Sequence, residues 1–194
     1  MADLAKIDIG SHFDARFQNE RVPPLSEVLA QSKGKIRVII ELKYYGHDQH
    51  LEQRVADIVE DANMQSDIIL MSLKSDKVQK MKALRPMWEV GLLTSAAVGD
   101  LTNAKADFLA VNAGLAKRKF VRSAHESGKQ VFVWTVNDAS TMSTMIGRGV
   151  DGLITDEPAM ARTVLQYRAD MSPLGRLLLE LAGILGVVPK IGEQ

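Results

Sequence analysis

The sequence contains no cysteine. That excludes a disulfide-stapled scaffold, a thiolate zinc site and a cysteine nucleophile. It carries no surplus of either charge, with 24 Lys and Arg against 24 Asp and Glu. Such a balance argues against a dedicated nucleic-acid binder, which shows a basic excess. No run of about 18 or more uncharged apolar residues occurs, so no segment reads as a membrane-spanning helix. No apolar stretch of signal-peptide type follows Met1. What is present is an ordinary globular mixture, 46% hydrophobic and 25% charged over 194 residues. That length suffices for one domain with a real core, or two small ones.

The middle of the chain repeats one pattern. Short apolar runs read as buried strands at Val38–Leu42, Ile68–Leu73, Val90–Leu93, Phe108–Val111, Val131–Val136 and Gly152–Ile154. Helical stripes follow most of them: Leu51, Val55, Ile58 and Val59; Val78, Met81 and Leu84; Ala116–Ser127, stopped by Gly128. Asp138 suits the N-cap of a helix carrying Met142, Met145 and Ile146, and a last stripe holds Ala161, Val164, Leu165 and Arg168. The stretch Ala96–Lys105 is the poorest helix of the series, being short and interrupted by Gly99.

Strands alternating with helices predict a parallel sheet with helices outside. A doubly wound open sheet and a (β/α)8 barrel compete. A barrel takes about 250 residues and eight strands. With six strands in hand, an open sheet is allowed by this arithmetic and a complete barrel is not. The ends differ from the middle. Residues 1–34 offer a short helix from Ser26, read as its N-cap, after Pro23 and Pro24. Leu177, Leu178, Leu181, Ile184 and Leu185 form an apolar helical stripe between Pro173 and Pro189. It reads as a helix packed on the domain, with an oligomer or membrane-surface contact as the alternative.

Chemistry in a parallel α/β domain gathers at the C-terminal ends of the strands. There stand Glu41 and Lys43, Ser72 and Lys74, Thr94, Asn112, Trp134 and Asn137, and Asp156. Period two puts Glu41 and Lys43 on the same side of their strand. A carboxylate beside a lysine suits a divalent cation together with a phosphate, or a structural ion pair. Trp134 suits core packing, Asp156 a helix N-cap and Asn112 a turn. His47 and His50 flank Asp48 at metal-pair spacing, but the segment reads first as a solvated loop. His12 and His125 are isolated in sequence.

Several segments, taken in order, resemble the glycerophosphodiester phosphodiesterases. They are IDIG at 7–10 with Phe13, RVPPLSEVL at 21–29, IELK at 40–43, MSL at 71–73, VFVWTVN at 131–137 and GVDGLITDEP at 149–158. The match runs from Ile7 to about Tyr167. LKYYGHD at 42–48 looks most like bacterial members that carry a separate membrane domain. The resemblance implies a (β/α)8 barrel and metal-dependent hydrolysis of glycerophosphodiesters to glycerol 3-phosphate and an alcohol. By position it makes Glu41 a metal ligand, for calcium or magnesium. It makes Lys43 a catalytic, phosphate-holding residue, and it places Trp134 and Asp156 by the substrate.

The family's His-Arg-Gly strand, its Glu-x-Asp strand and its His-Asp segment have no counterpart in this sequence. The resemblance therefore makes the six strands the third to eighth of the barrel. Residues 1–34 become the end of an insertion and the first helix, 35–170 a partial barrel, and 171–194 an apolar helical extension. On that expectation Met1 is an internal methionine of a longer frame, and the isolated chain is inactive because both catalytic histidines are absent. The expected partner is a small phosphodiester, with no nucleic acid. The expected location is the cytoplasm or a membrane surface. A nonenzymatic degenerate copy acting through partner contacts, and another phosphate-handling α/β enzyme, are the competing readings.

Overall fold

The computed structural model describes residues 6–46, 50–96, 100–172, 174, 175, 178 and 179. It divides into two compact units. One holds the described residues up to Ile40 with Tyr44–Ile69, and the other holds Glu41–Lys43 with the described residues from Leu70 onward. The stripe residues Leu177, Leu181, Ile184 and Leu185 lie outside the described residues, as does His47. No described helix is long and apolar enough to cross a membrane.

In the first unit, helix α1 (Leu25–Ser32) packs on helix α2 (Leu51–Asp61). The apolar positions Leu29, Val55, Ala56 and Val59 are buried, as their helical spacing requires. The Lys33 ammonium donates to the Ala62 carbonyl just past α2, a group with no partner inside its helix. Pro24, not Ser26, occupies the N-cap position of α1. The extended Pro24 backbone lets its carbonyl accept from Glu27 and Val28, so Ser26 already lies inside the helix. Upstream, the Asp8 carboxylate accepts from the amides of Gly10 and Ser11 and from the Ser11 hydroxyl. Those bonds, the Ser11 amide first, lower its pKa from 3.8 to about 2.

Six strands form one sheet: β1 (Val38–Glu41), β2 (Ile68–Ser72), β3 (Val90–Thr94), β4 (Phe108–Asn112), β5 (Gln130–Trp134) and β6 (Gly152–Leu153). Their spatial order is their chain order. Every pair from β2 to β6 is parallel. At β1, Val38 donates to Asp67 O and Leu42 to Met71 O, and the two bonds advance in step, as parallel strands require. A doubly wound sheet reverses its order at a switch point. This one never does, so the open-sheet alternative falls and the order is that of a partial (β/α)8 barrel.

The helices that follow strands β2, β4, β5 and β6 are α3 (Ser75–Leu84), α4 (Arg118–Glu126), α5 (Ala139–Arg148) and α6 (Pro158–Asp170). Asp138 caps α5 by accepting from the Thr141 amide, and Gly128 adopts the left-handed turn that ends α4. Between β3 and β4 the described residues include a 3-10 turn, Leu101–Asn103, within the stretch read as the poorest helix of the series.

Two cross-strand glycine–aromatic pairs organise one face. Register sets Gly91 beside Phe108 and Phe132 beside Gly152. The Phe108 and Phe132 rings stack, with centroids 4.8 Å apart. The N-terminal ends of the strands are tied by a repeated device. Asp107 Oδ2 accepts from the Val90 amide and Lys82, and Asp151 Oδ2 accepts from the Val131 amide and His125. Each aspartate immediately precedes one strand and holds the start of its neighbour.

Candidate functional site

The C-terminal ends of the strands carry the other polar set. Glu41 closes β1, and Lys43 follows two residues later, on the same side by strand period. Lys43 Nζ lies 3.3 Å from Glu41 Oε2, with the lysine side chain 55% exposed and the carboxylate 23%. So the ion pair weighed from spacing is present, at a position that solvent or a ligand can reach.

On β5, Trp134 stands beside Asn112 of β4 in register. Its indole N–H donates to Ala110 O at 3.1 Å, which orients the ring across β4. The side chain is half-buried, not sealed in the core. Asn112 behaves as a turn residue, accepting from the Gly114 amide.

Asp156 is not a helix cap. Glu157 occupies the N-cap position of α6, which starts with Pro158. Asp156 instead bonds the β5 side of the sheet. Asn137 Nδ2 donates to Asp156 Oδ2 at 2.8 Å, and the Asp156 amide donates to Asn137 Oδ1 at 2.9 Å. Thr155 Oγ1 donates to the same Asn137 oxygen. One amide side chain therefore clips together the loops that follow β5 and β6. Sequence reasoning placed Asn137 at a strand end but assigned it no partner. The partner lies 19 residues on, with no local signal.

Among the described residues, Glu41 joins Lys43 and Asp156 joins Asn137, but no hydrogen bond or ion pair links the two sets. His125 pairs with Asp151 at 2.8 Å, at the opposite ends of the strands from Trp134 and Asp156. His50 opens α2 with a left-handed backbone. No three or more His, Asp or Glu side chains converge to hold a metal among the described residues. A divalent cation needs several oxygen ligands, and Glu41 with an adjacent ammonium does not meet that need. The polar set at the C-terminal strand ends offers a carboxylate and a cation at the end of β1, and an aromatic face with an amide–carboxylate clip at the ends of β5 and β6. By itself it does not build a metal centre.

The sequence profile described as the glycerophosphoryl diester phosphodiesterase family matches residues 1–160. A glycerophosphodiester phosphodiesterase of Caldanaerobacter subterraneus subsp. tengcongensis is 27% identical over 168 residues, covering 81% of this chain and 68% of the relative. The chain also resembles the crystal structure of a glycerophosphodiester phosphodiesterase from Parabacteroides distasonis. The TM-score is 0.75 at 23% identity, with 87% of this chain and 71% of that one covered. An Oleispira antarctica phosphodiesterase, solved in complex with the product sn-glycerol-3-phosphate, superposes with a TM-score of 0.71 at 21% identity, covering 85% and 70%. The chain spans 68% of two curated relatives and 62% of one solved chain.

Proposed function

The chain belongs to the glycerophosphoryl diester phosphodiesterase family, a family of phosphoric diester hydrolases, and on that premise we propose that it takes part in hydrolysis of glycerophosphodiesters to sn-glycerol 3-phosphate and an alcohol. The observation that carries the reading is the polar set at the C-terminal strand ends. Glu41 ends β1 and Lys43 follows it by two residues, and Trp134, Asn137 and Asp156 stand at the β5 and β6 ends. In this reading the exposed Lys43 ammonium faces a phosphate oxygen and offsets charge that builds up as the ester bond breaks. Trp134 lies against the glycerol or alcohol portion. Asp156, held by Asn137, accepts from a substrate hydroxyl.

We assign the six strands to positions three to eight of the barrel. A divalent cation, calcium or magnesium, would supply Lewis-acid chemistry, with Glu41 as one ligand. The described residues do not complete that site, so no step is routed through it. The sequence has no counterpart of the family's two catalytic histidines. Proton transfer to the leaving alcohol then has no donor of the usual kind, a contribution commonly worth about 10²–10⁴ in rate. We therefore propose that residues 1–194 alone bind the product but do not turn over.

The test pairs sn-glycerol 3-phosphate titration, read by isothermal titration calorimetry, with glycerophosphocholine hydrolysis in calcium or magnesium. The expected result is saturable binding weakened about 10-fold or more by Lys43→Ala and by Trp134→Ala. Hydrolysis should not rise above that of Glu41→Ala. Failure of the wild-type chain to bind would overturn the site. Robust metal-dependent turnover would overturn the claim of inactivity.

A further inference from the structure

Ser72 is the last residue of β2 and is 1% exposed. Its hydroxyl donates to the Leu42 carbonyl at 2.9 Å and accepts from the Lys74 amide at 3.3 Å. Leu42 lies between Glu41 and Lys43, just past the last residue of β1. Its amide donates to Met71 O at 2.7 Å. Both backbone polar groups of Leu42 are therefore held by the end of β2. A buried side-chain hydroxyl, not a further backbone rung, holds the carbonyl.

The flanking ion pair cannot supply this order itself. With Lys43 more than half exposed, a pair at 3.3 Å is a weak restraint and is screened by salt. The direction of the Lys43 side chain follows from the peptide that precedes it, and that peptide's oxygen is the atom Ser72 grips. If the hydroxyl is lost, the Leu42 carbonyl has no donor at a buried position, and its peptide is free to rotate toward one. Lys43 would then swing away from the face it shares with Glu41.

We propose that Ser72 is a positioning residue for Glu41 and Lys43, acting through the Leu42 carbonyl. The proposal rests on the reading of Glu41 and Lys43 as the phosphate-facing pair. Ser72 itself need touch no substrate.

The test uses the full chain with Ser72→Ala and Ser72→Thr, the latter keeping the hydroxyl. Amide hydrogen exchange is followed by NMR, and sn-glycerol 3-phosphate is titrated in parallel. In Ser72→Ala, exchange at Leu42 and Lys43 should speed up about 5–10-fold while β4 and β5 stay within about 2-fold. The product dissociation constant should rise about 5-fold, and Ser72→Thr should return it to within about 2-fold of wild type. Unchanged exchange at Leu42, or a lower melting temperature with unchanged affinity, would overturn the proposal. If Ser72→Ala does not fold, Ser72→Cys, nearly the same size with a weak donor, decides by the same exchange reading at Leu42. A wild-type chain indifferent to sn-glycerol 3-phosphate would sink the phosphate reading, while faster exchange at Leu42 in Ser72→Ala would still support the clamp.

Discussion

A methyl group at Gly91 should destabilise this protein through one neighbour. A Cβ built there would lie 2.1 Å from Phe108 Cε2, 2.2 Å from Cζ and 2.4 Å from Cδ2. Carbon atoms sit comfortably about 3.5–4.0 Å apart, so the ring would have to retreat by roughly 1.4 Å. It has nowhere to go. Phe108 is fully buried and stacks on Phe132, whose own ring already approaches the Cβ position of Gly152 to 3.0 Å. Overpacking of this kind costs about 1–3 kcal/mol. Replacing glycine offsets about 0.4–1 kcal/mol by restricting the unfolded chain. Taken at the middle of both ranges, the net for Gly91→Ala is about 1.3 kcal/mol of lost stability, or about 3–5 °C in melting temperature for a chain of this size.

The diagnostic is a double-mutant cycle, followed by urea denaturation and far-UV circular dichroism. In a Phe108→Leu background the same methyl enters vacated space, and Gly91→Ala should become neutral or stabilising, a coupling of about 2 kcal/mol. Phe132 precedes Trp134 by two residues on the same face, so Gly91→Ala should also shift the tryptophan emission. A Gly91→Ala chain within about 0.5 kcal/mol of wild type, or equal destabilisation in both backgrounds, would refute the argument.

Two further expectations concern electrostatics. Lys82 donates to Pro86 O, Trp88 O and the Asp107 carboxylate, so Lys82→Met should cost about 1–2 kcal/mol, and a change of salt should not restore it, because two backbone carbonyls lose this donor as well as the carboxylate. A melting temperature lowered by less than about 1 °C would contradict it. Asp8, with its pKa lowered from 3.8 to about 2 by the Ser11 and Gly10 bonds, should stabilise its loop fully above the unfolded value. That contribution should fade as the pH falls from 3.8 through about 2, and an NMR titration of Asp8 with a midpoint near 3.8 would show that the bonds are not made.

The sequence by itself determined where the strands lie and what stands at their ends. Val38, Ile68, Val90, Phe108 and Val131 open or fall in strands because short apolar runs bounded by helical stripes have few other solutions. The pairing of Glu41 with Lys43 follows from the two-residue period of a strand, and the Asp138 cap follows from a bond that closes within three residues. The ordered motifs from Ile7 to Tyr167 were enough to name the family. Tertiary structure decided whatever depends on partners distant in the chain. Strand order is such a property, since local periodicity is the same in a doubly wound sheet and in a barrel. So is the room for Phe108, which exists only because register sets it beside Gly91. Asp156 looked like a cap until Asn137, 19 residues earlier, claimed it. Ser72 looked like an ordinary strand end. Its significance comes from a carbonyl 30 residues away, which only the pairing of β1 with β2 brings within reach of a hydroxyl.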